Sequence, residues 1–117
     1  MSVTIIVLGG KVCMITRLWQ GYTTPENADA YETFIRLEVF PSLREVRGFL
    51  GGKLLRRNLF QEVEFVALTH FDSLESVRAA AGEEFSYIII PESGRKLLSR
   101  FDQRVAIYEV VADEAAS

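Results

Sequence analysis

Apolar and polar positions along the chain sort into segments whose order predicts strand, helix, strand, strand, helix, strand. From Cys13 to Gln20 the residues are β-branched, aromatic or otherwise strand-compatible, and Gly21 closes the run. A helix start follows, with Thr24 placed to cap, Pro25 suited to the first turn and Glu26 at the positive end of the helix dipole. Ala28, Tyr31, Ile35 and Val39 fall on one helical face, which Phe34 and Leu37 widen. Pro41 predicts a bend, after which the helix resumes to Val46 and ends at Gly48. Phe49 to Arg57 reads as the second strand, its Gly51-Gly52 pair marking a bulge or a close backbone approach. Residues 58–61 form a hairpin connection to the third strand, Glu62 to Phe71, which carries the strongest strand signal. Ser73 then caps a helix that runs to Ala81 and stops at Gly82. Residues 83–100 are less regular and predict a helical turn, then a helix opened by Pro91 that carries Leu97 and Leu98. The last strand is expected from Val105 to Val111.

Two strand–helix–strand halves joined by a hairpin predict an α+β domain of ferredoxin-like βαββαβ topology. Its antiparallel four-stranded sheet carries helices on one face. A sheet with one wet face should alternate cleanly, and the third strand does not. Val63, Phe65, Ala67, Thr69 and Phe71 make one row, but the other row, Glu64, Val66, Leu68 and His70, is still half apolar. The second face therefore calls for a cover from outside the chain, and a twofold copy of itself is the economical one. A homodimer is expected.

Composition narrows the class. A chain of 117 residues, 49% of them hydrophobic, suits a single domain at 13–112, with residues 1–12 an N-terminal extension or extra strand and 113–117 a tail. An ill-chosen start, with the native one at Met14, is an equal alternative for residues 1–12. The net charge of -3 argues against a nucleic-acid partner. One Cys and one His permit neither an internal disulfide nor a self-contained zinc site, so a reduced, cytoplasmic protein without a bound metal is expected. The apolar run Val3 to Leu8 is too short for a signal peptide or a membrane span.

Several segments carry a resemblance. Met14-Ile15-Thr16-Arg17-Leu18-Trp19, Thr24-Pro25-Glu26-Asn27-Ala28, Glu64-Phe65-Val66, Phe71-Asp72-Ser73-Leu74-Glu75-Ser76-Val77 and Tyr108-Glu109-Val110 resemble the antibiotic-biosynthesis monooxygenase superfamily. The resemblance spans Met14 to Val111 and rests most on the strand–Phe-Asp-Ser-x-Glu–helix segment. It implies a dimeric α+β barrel, and members that include cofactor-independent oxygenases of polycyclic phenols, heme-degrading enzymes and proteins without an assigned activity. The heme-degrading members resemble one another in an Asn on the first strand and a His in the second helical region. This chain has neither, which argues against heme degradation and for a protein with no cofactor.

With the first strand placed between the third and fourth, Arg17 and Trp19 are expected to share a face with His70, Glu64 and Glu109 inside the barrel. His70, the single histidine, reads as a general base for a phenolic proton, or as a strand-end histidine hydrogen-bonded near an interface. Arg17 reads as an anion holder or as the partner of Glu109 or Glu64 in an ion pair across strands. Trp19 reads as a stacking wall or as a packing anchor, and Glu64 and Glu109 as further substrate-binding groups. Tyr22, Tyr31 and Tyr87 read as pocket hydroxyls or, more in keeping with their type, as core-packing residues. Gly9-Gly10-Lys11 and Gly51-Gly52-Lys53 lack the spacing of a phosphate loop. The expected function is a cofactor-independent monooxygenase-like protein acting on a small aromatic or quinone-type substrate. Its competitor is a non-catalytic homodimer that binds a small ligand or serves as an interaction module.

Overall fold

A computed structural model describes residues 14–116; the expectations for residues 1–13 and for Ser117 lie outside it. Strand β1 (Ile15–Thr23) leads through a 3-10 turn (Pro25–Asn27) into α1 (Ala28–Phe34). A π-helical segment (Ile35–Val39) connects α1 directly to α2 (Phe40–Arg44). The hairpin β2 (Phe49–Asn58) and β3 (Val63–Phe71) follows, then α3 (Leu74–Ala81) and the single turn α4 (Glu92–Arg95). Strands β4 (Leu98–Phe101) and β5 (Ala106–Glu109) end the fold.

The sheet order is β2-β3-β1-β4, with β5 also pairing β1, and every pairing is antiparallel. This is the expected ferredoxin-like order with one correction. The fourth strand is two: β4 pairs with Gly21–Thr23 and β5 with Ile15–Leu18, so the sheet has five strands. Leu98 accordingly sits in β4, where a helix from Pro91 had been expected, and that helix closes after one turn. The break between β4 and β5 has a physical cause in Trp19. Its indole Nε1 donates to the Asp102 carbonyl at 2.8 Å, and the Asp102 N–H donates to the Gln20 carbonyl at 3.0 Å. The edge strand wraps over the indole here and cannot continue a straight ladder.

The helices cover one face. Trp19, Tyr31, Phe34, Ile35, Val63, Phe65 and Val105 form the larger core, and Ile15, Phe71 and Val77 a second cluster beneath α3. Tyr31 is central, with ring centroids 5.1 Å from Phe65, 5.9 Å from Phe34 and 6.3 Å from Trp19. Aromatic pairs at these tilted geometries add to their burial. Pro41 produces a π segment where a bend had been expected. Proline has no N–H and its ring crowds the carbonyl four residues back. The helix absorbs this one residue earlier, where the Phe40 N–H bonds the Ile35 carbonyl five residues back. Ser73 caps α3 as expected, its hydroxyl accepting from the Ser76 N–H at 3.2 Å.

Candidate functional site

β1 supplies the floor of the site, because its odd-numbered side chains face the helices. Arg17 stands opposite Thr69, and Trp19 opposite Ala67. The even-numbered row faces the other way. Thr16 stands opposite His70, Leu18 opposite Leu68, Gln20 opposite Val66 and Tyr22 opposite Glu64. This register corrects the expectation that Arg17, Trp19, His70, Glu64 and Glu109 share one face. His70 and Glu64 lie on the open face of the sheet, away from the helices. Glu109 stands opposite Ile15, on the side of Arg17, but at an exposed edge. The sheet period is two, so a displacement of one residue exchanges every side chain between faces.

Between sheet and helices lies a cavity of about 510 Å³. Arg17, Trp19, Ala67 and Thr69 form its floor; Tyr31, Ile35, Glu38 and Ser42 belong to the helical wall. Residues 87–91 and Val105 close the third side. The lining is mostly apolar, with a few polar groups, as small-molecule sites tend to be. The π segment matters here, since Glu38 and Val39 belong to it and border the cavity.

Arg17 is the unusual group. Its Nη2 donates to the Phe85 carbonyl at 2.8 Å, while its Nε is buried with no hydrogen-bond partner. Among the described residues no carboxylate lies within ion-pair distance of it. An unpaired buried donor costs about 1–3 kcal/mol. Desolvation by burial pulls its pKa below the ordinary arginine value, yet a guanidinium keeps its charge in proteins. The expected ion pair of Arg17 with Glu64 or Glu109 is absent from the described contacts. Glu64 instead accepts from Arg57 Nε, from the Tyr22 hydroxyl at 3.1 Å and from Gln20 Nε2 at 3.3 Å. His70 Nδ1 lies 2.8 Å from the Thr16 hydroxyl. Burial first, and Lys53 second, lower the His70 pKa against an opposing effect of Asp113.

Of the three tyrosines read as possible pocket hydroxyls, Tyr31 and Tyr87 line the cavity and Tyr22 does not. Burial raises the Tyr31 pKa strongly, so it stays a phenol. Arg104 Nη2 donates to the Tyr87 hydroxyl at 2.8 Å. Sequence reasoning missed Glu38, Ser42 and Thr69, along with the wall formed by Ile88-Ile89-Ile90-Pro91. That apolar run, placed in the irregular stretch before and at the helix expected from Pro91, was the available signal for the wall.

No protein-family model and no curated protein matches the chain. Solved structures do. A candidate antibiotic biosynthesis monooxygenase from Nitrosomonas europaea superimposes with a TM-score of 0.64 at 13% identity, over 89% of this chain and 96% of that one. SnoaB, a cofactor-independent oxygenase from Streptomyces nogalater solved as a point mutant, gives 0.61 at 13% identity over 86% and 95%. The heme-degrader MhuD from Mycobacterium tuberculosis, with two hemes bound in its active site, gives 0.55 at 20% over 86% and 99%. The chain has the antibiotic-biosynthesis monooxygenase fold. Within that fold the described lining of the cavity does not suit a heme. The described lining offers no histidine, cysteine or methionine as an axial ligand. Of its tyrosines, Tyr31 is held as a phenol and Tyr87 already accepts from Arg104. Among the described residues no helix is long and apolar enough to cross a membrane.

Proposed function

We propose that this monooxygenase-like protein is a cytoplasmic homodimer that takes a small aromatic or quinone-type substrate into the cavity between sheet and helices and oxygenates it without a cofactor. The observation that carries the reading is the cavity of about 510 Å³ with Trp19 on its floor beside Arg17, whose buried Nε has no hydrogen-bond partner. An indole offers a face for a flat ring. A guanidinium at its side stabilises the oxyanion that makes such a ring electron-rich enough to react with oxygen. For a phenol with an open ring position, one oxygen atom becomes a new carbonyl. The other leaves as water with the ring hydrogen and the hydroxyl proton, so no external reductant is needed. Arg17 is the anion holder and Trp19 the stacking wall in this reading. His70, on the opposite face and bonded to Thr16, is left without a role in the cavity.

The test is oxygen uptake with a panel of acidic naphthols and hydroxyquinones. Arg17→Gln is expected to lower turnover at least tenfold, whereas His70→Ala leaves it near wild type. A panel-wide absence of uptake, with ligands bound, favours the competing reading of a non-catalytic small-ligand-binding dimer. One observation already leans that way: Glu38, exposed on the helix, is the one carboxylate that borders the cavity among the described residues.

A further inference from the structure

A phenol that enters as a neutral molecule must lose its proton inside, and that requires a base. The cavity is poor in them. The single histidine is on the other face of the sheet. Tyr31 is held as a phenol, the Tyr87 oxygen is engaged by Arg104, and Ser42 and Thr69 carry only hydroxyls. Glu38 is a carboxylate on an exposed position of the helical wall, beyond ion-pair distance of Arg17. Against this stands a positive charge with a buried, unpartnered N–H.

Arg17 is half-buried, and a partly desolvated cation without a counter-ion carries a cost that falls when an anion arrives. Phe85 satisfies one N–H of the fork through its carbonyl, which orients the guanidinium without neutralising it. The floor is thus prepared for a charge that the protein itself does not supply.

We infer that the cavity selects its aromatic ligand as a preformed oxyanion, an acidic phenol or hydroxyquinone already ionised in solution, and that Arg17 is the selecting residue. The inference rests on the proposed site but not on its catalytic chemistry. Ligands of the same shape that cannot ionise bind through the apolar walls alone and lose the contribution of Arg17.

The probe is lawsone, a naphthoquinone whose hydroxyl is ionised at neutral pH, set against its O-methyl ether, which has the same rings and no ionisable proton. Binding is followed by calorimetry, and quenching of Trp19, the single tryptophan, reports entry into the cavity. Lawsone is expected to bind at least tenfold tighter than the ether. Below its own pKa its apparent affinity should fall with pH and level off at that of the ether, because the ionised fraction, which alone gains the contribution of Arg17, shrinks. That curve should be the same in Glu38→Gln and His70→Ala. Arg17→Gln should bring lawsone down to the affinity of the ether, and Arg17→Lys should restore part of the difference, which separates lost charge from a disturbed fold. Equal binding of lawsone and the ether to the wild-type protein overturns the inference and leaves an aromatic cavity. A pH dependence that disappears in Glu38→Gln also overturns it, since a protein group would then be taking the proton. If neither probe quenches Trp19, the inference and the proposed site fall together. Bound acidic phenols that consume no oxygen count against the oxygenase reading alone.

Discussion

At the scale of the residue, Trp19 ties three parts of the molecule together. It is 5% exposed, its ring packs near Tyr31 and Phe101, and its N–H holds the Asp102 carbonyl. Gly21 leaves room for the indole, and a Cβ there would collide with it. Trp19→Ala is therefore expected to cost about 3–5 kcal/mol in urea unfolding. A ring-retaining Trp19→Phe should cost less, losing the hydrogen bond but keeping most of the packing. Glu64 gives a second expectation. The hydrogen bond from Arg57 first, and those from Tyr22 and Gln20 after it, hold the carboxyl below the usual glutamate range against an opposing desolvation. A carboxyl depressed in the fold stabilises it at pH values above the unfolded pKa, and that stabilisation fades as pH falls through the folded value. Glu64→Gln should thus lower Tm at neutral pH and converge with wild type in acid, as thermal melts across that range will show.

At the scale of the element, the segment from α1 to α2 and the loop after it show how local chemistry and packing share the work. Gly48 has φ +94, and a Cβ there would run into Ser76 and Asp72, the two groups that close the start of α3. Gly48→Ala is expected to destabilise by about 1–3 kcal/mol from the backbone alone, more with the collision, measured by chemical denaturation. Pro41 was legible as a disturbance, but the form it takes was not. A missing N–H can be met by a bend, a break or a wider turn, and here it is met by the wider turn, beside the buried Phe34 and Ile35. The helix start at Pro25 and the cap at Ser73 were readable because they depend on neighbours in sequence, but Thr24, expected to cap, makes no side-chain cap bond. The split of the fourth strand was not, because it depends on an indole more than eighty residues away along the chain.

At the scale of the whole molecule, the sheet has a face that no element of the described chain covers. Leu18, Leu55, Val66, Leu68 and Tyr108 lie on it, with Leu55 at 46% and Tyr108 at 54% exposure. Polar groups flank them: the Tyr22–Glu64–Arg57 cluster at one end and His70 with Thr16 at the other. This face is where the proposed second copy would sit. Leu68→Arg is expected to convert a dimer to a monomer in analytical ultracentrifugation without changing the far-UV spectrum. A wild-type protein that sediments as a monomer at micromolar concentration would remove the dimer.

Local chemistry determined which segments become strands and helices, β4 excepted, and the order of those segments determined a ferredoxin-like sheet with β1 at its centre. Periodicity, caps and glycines act over a few residues, so they can be read without a partner. The same periodicity told that both sheet faces were partly apolar, and for that reason it could not tell which one the helices would cover. The tertiary register decided it, by setting Arg17 against Thr69 and Thr16 against His70. One residue of displacement separates a cavity floored by Arg17 and Trp19 from one built around His70, and only contacts between distant strands choose between them.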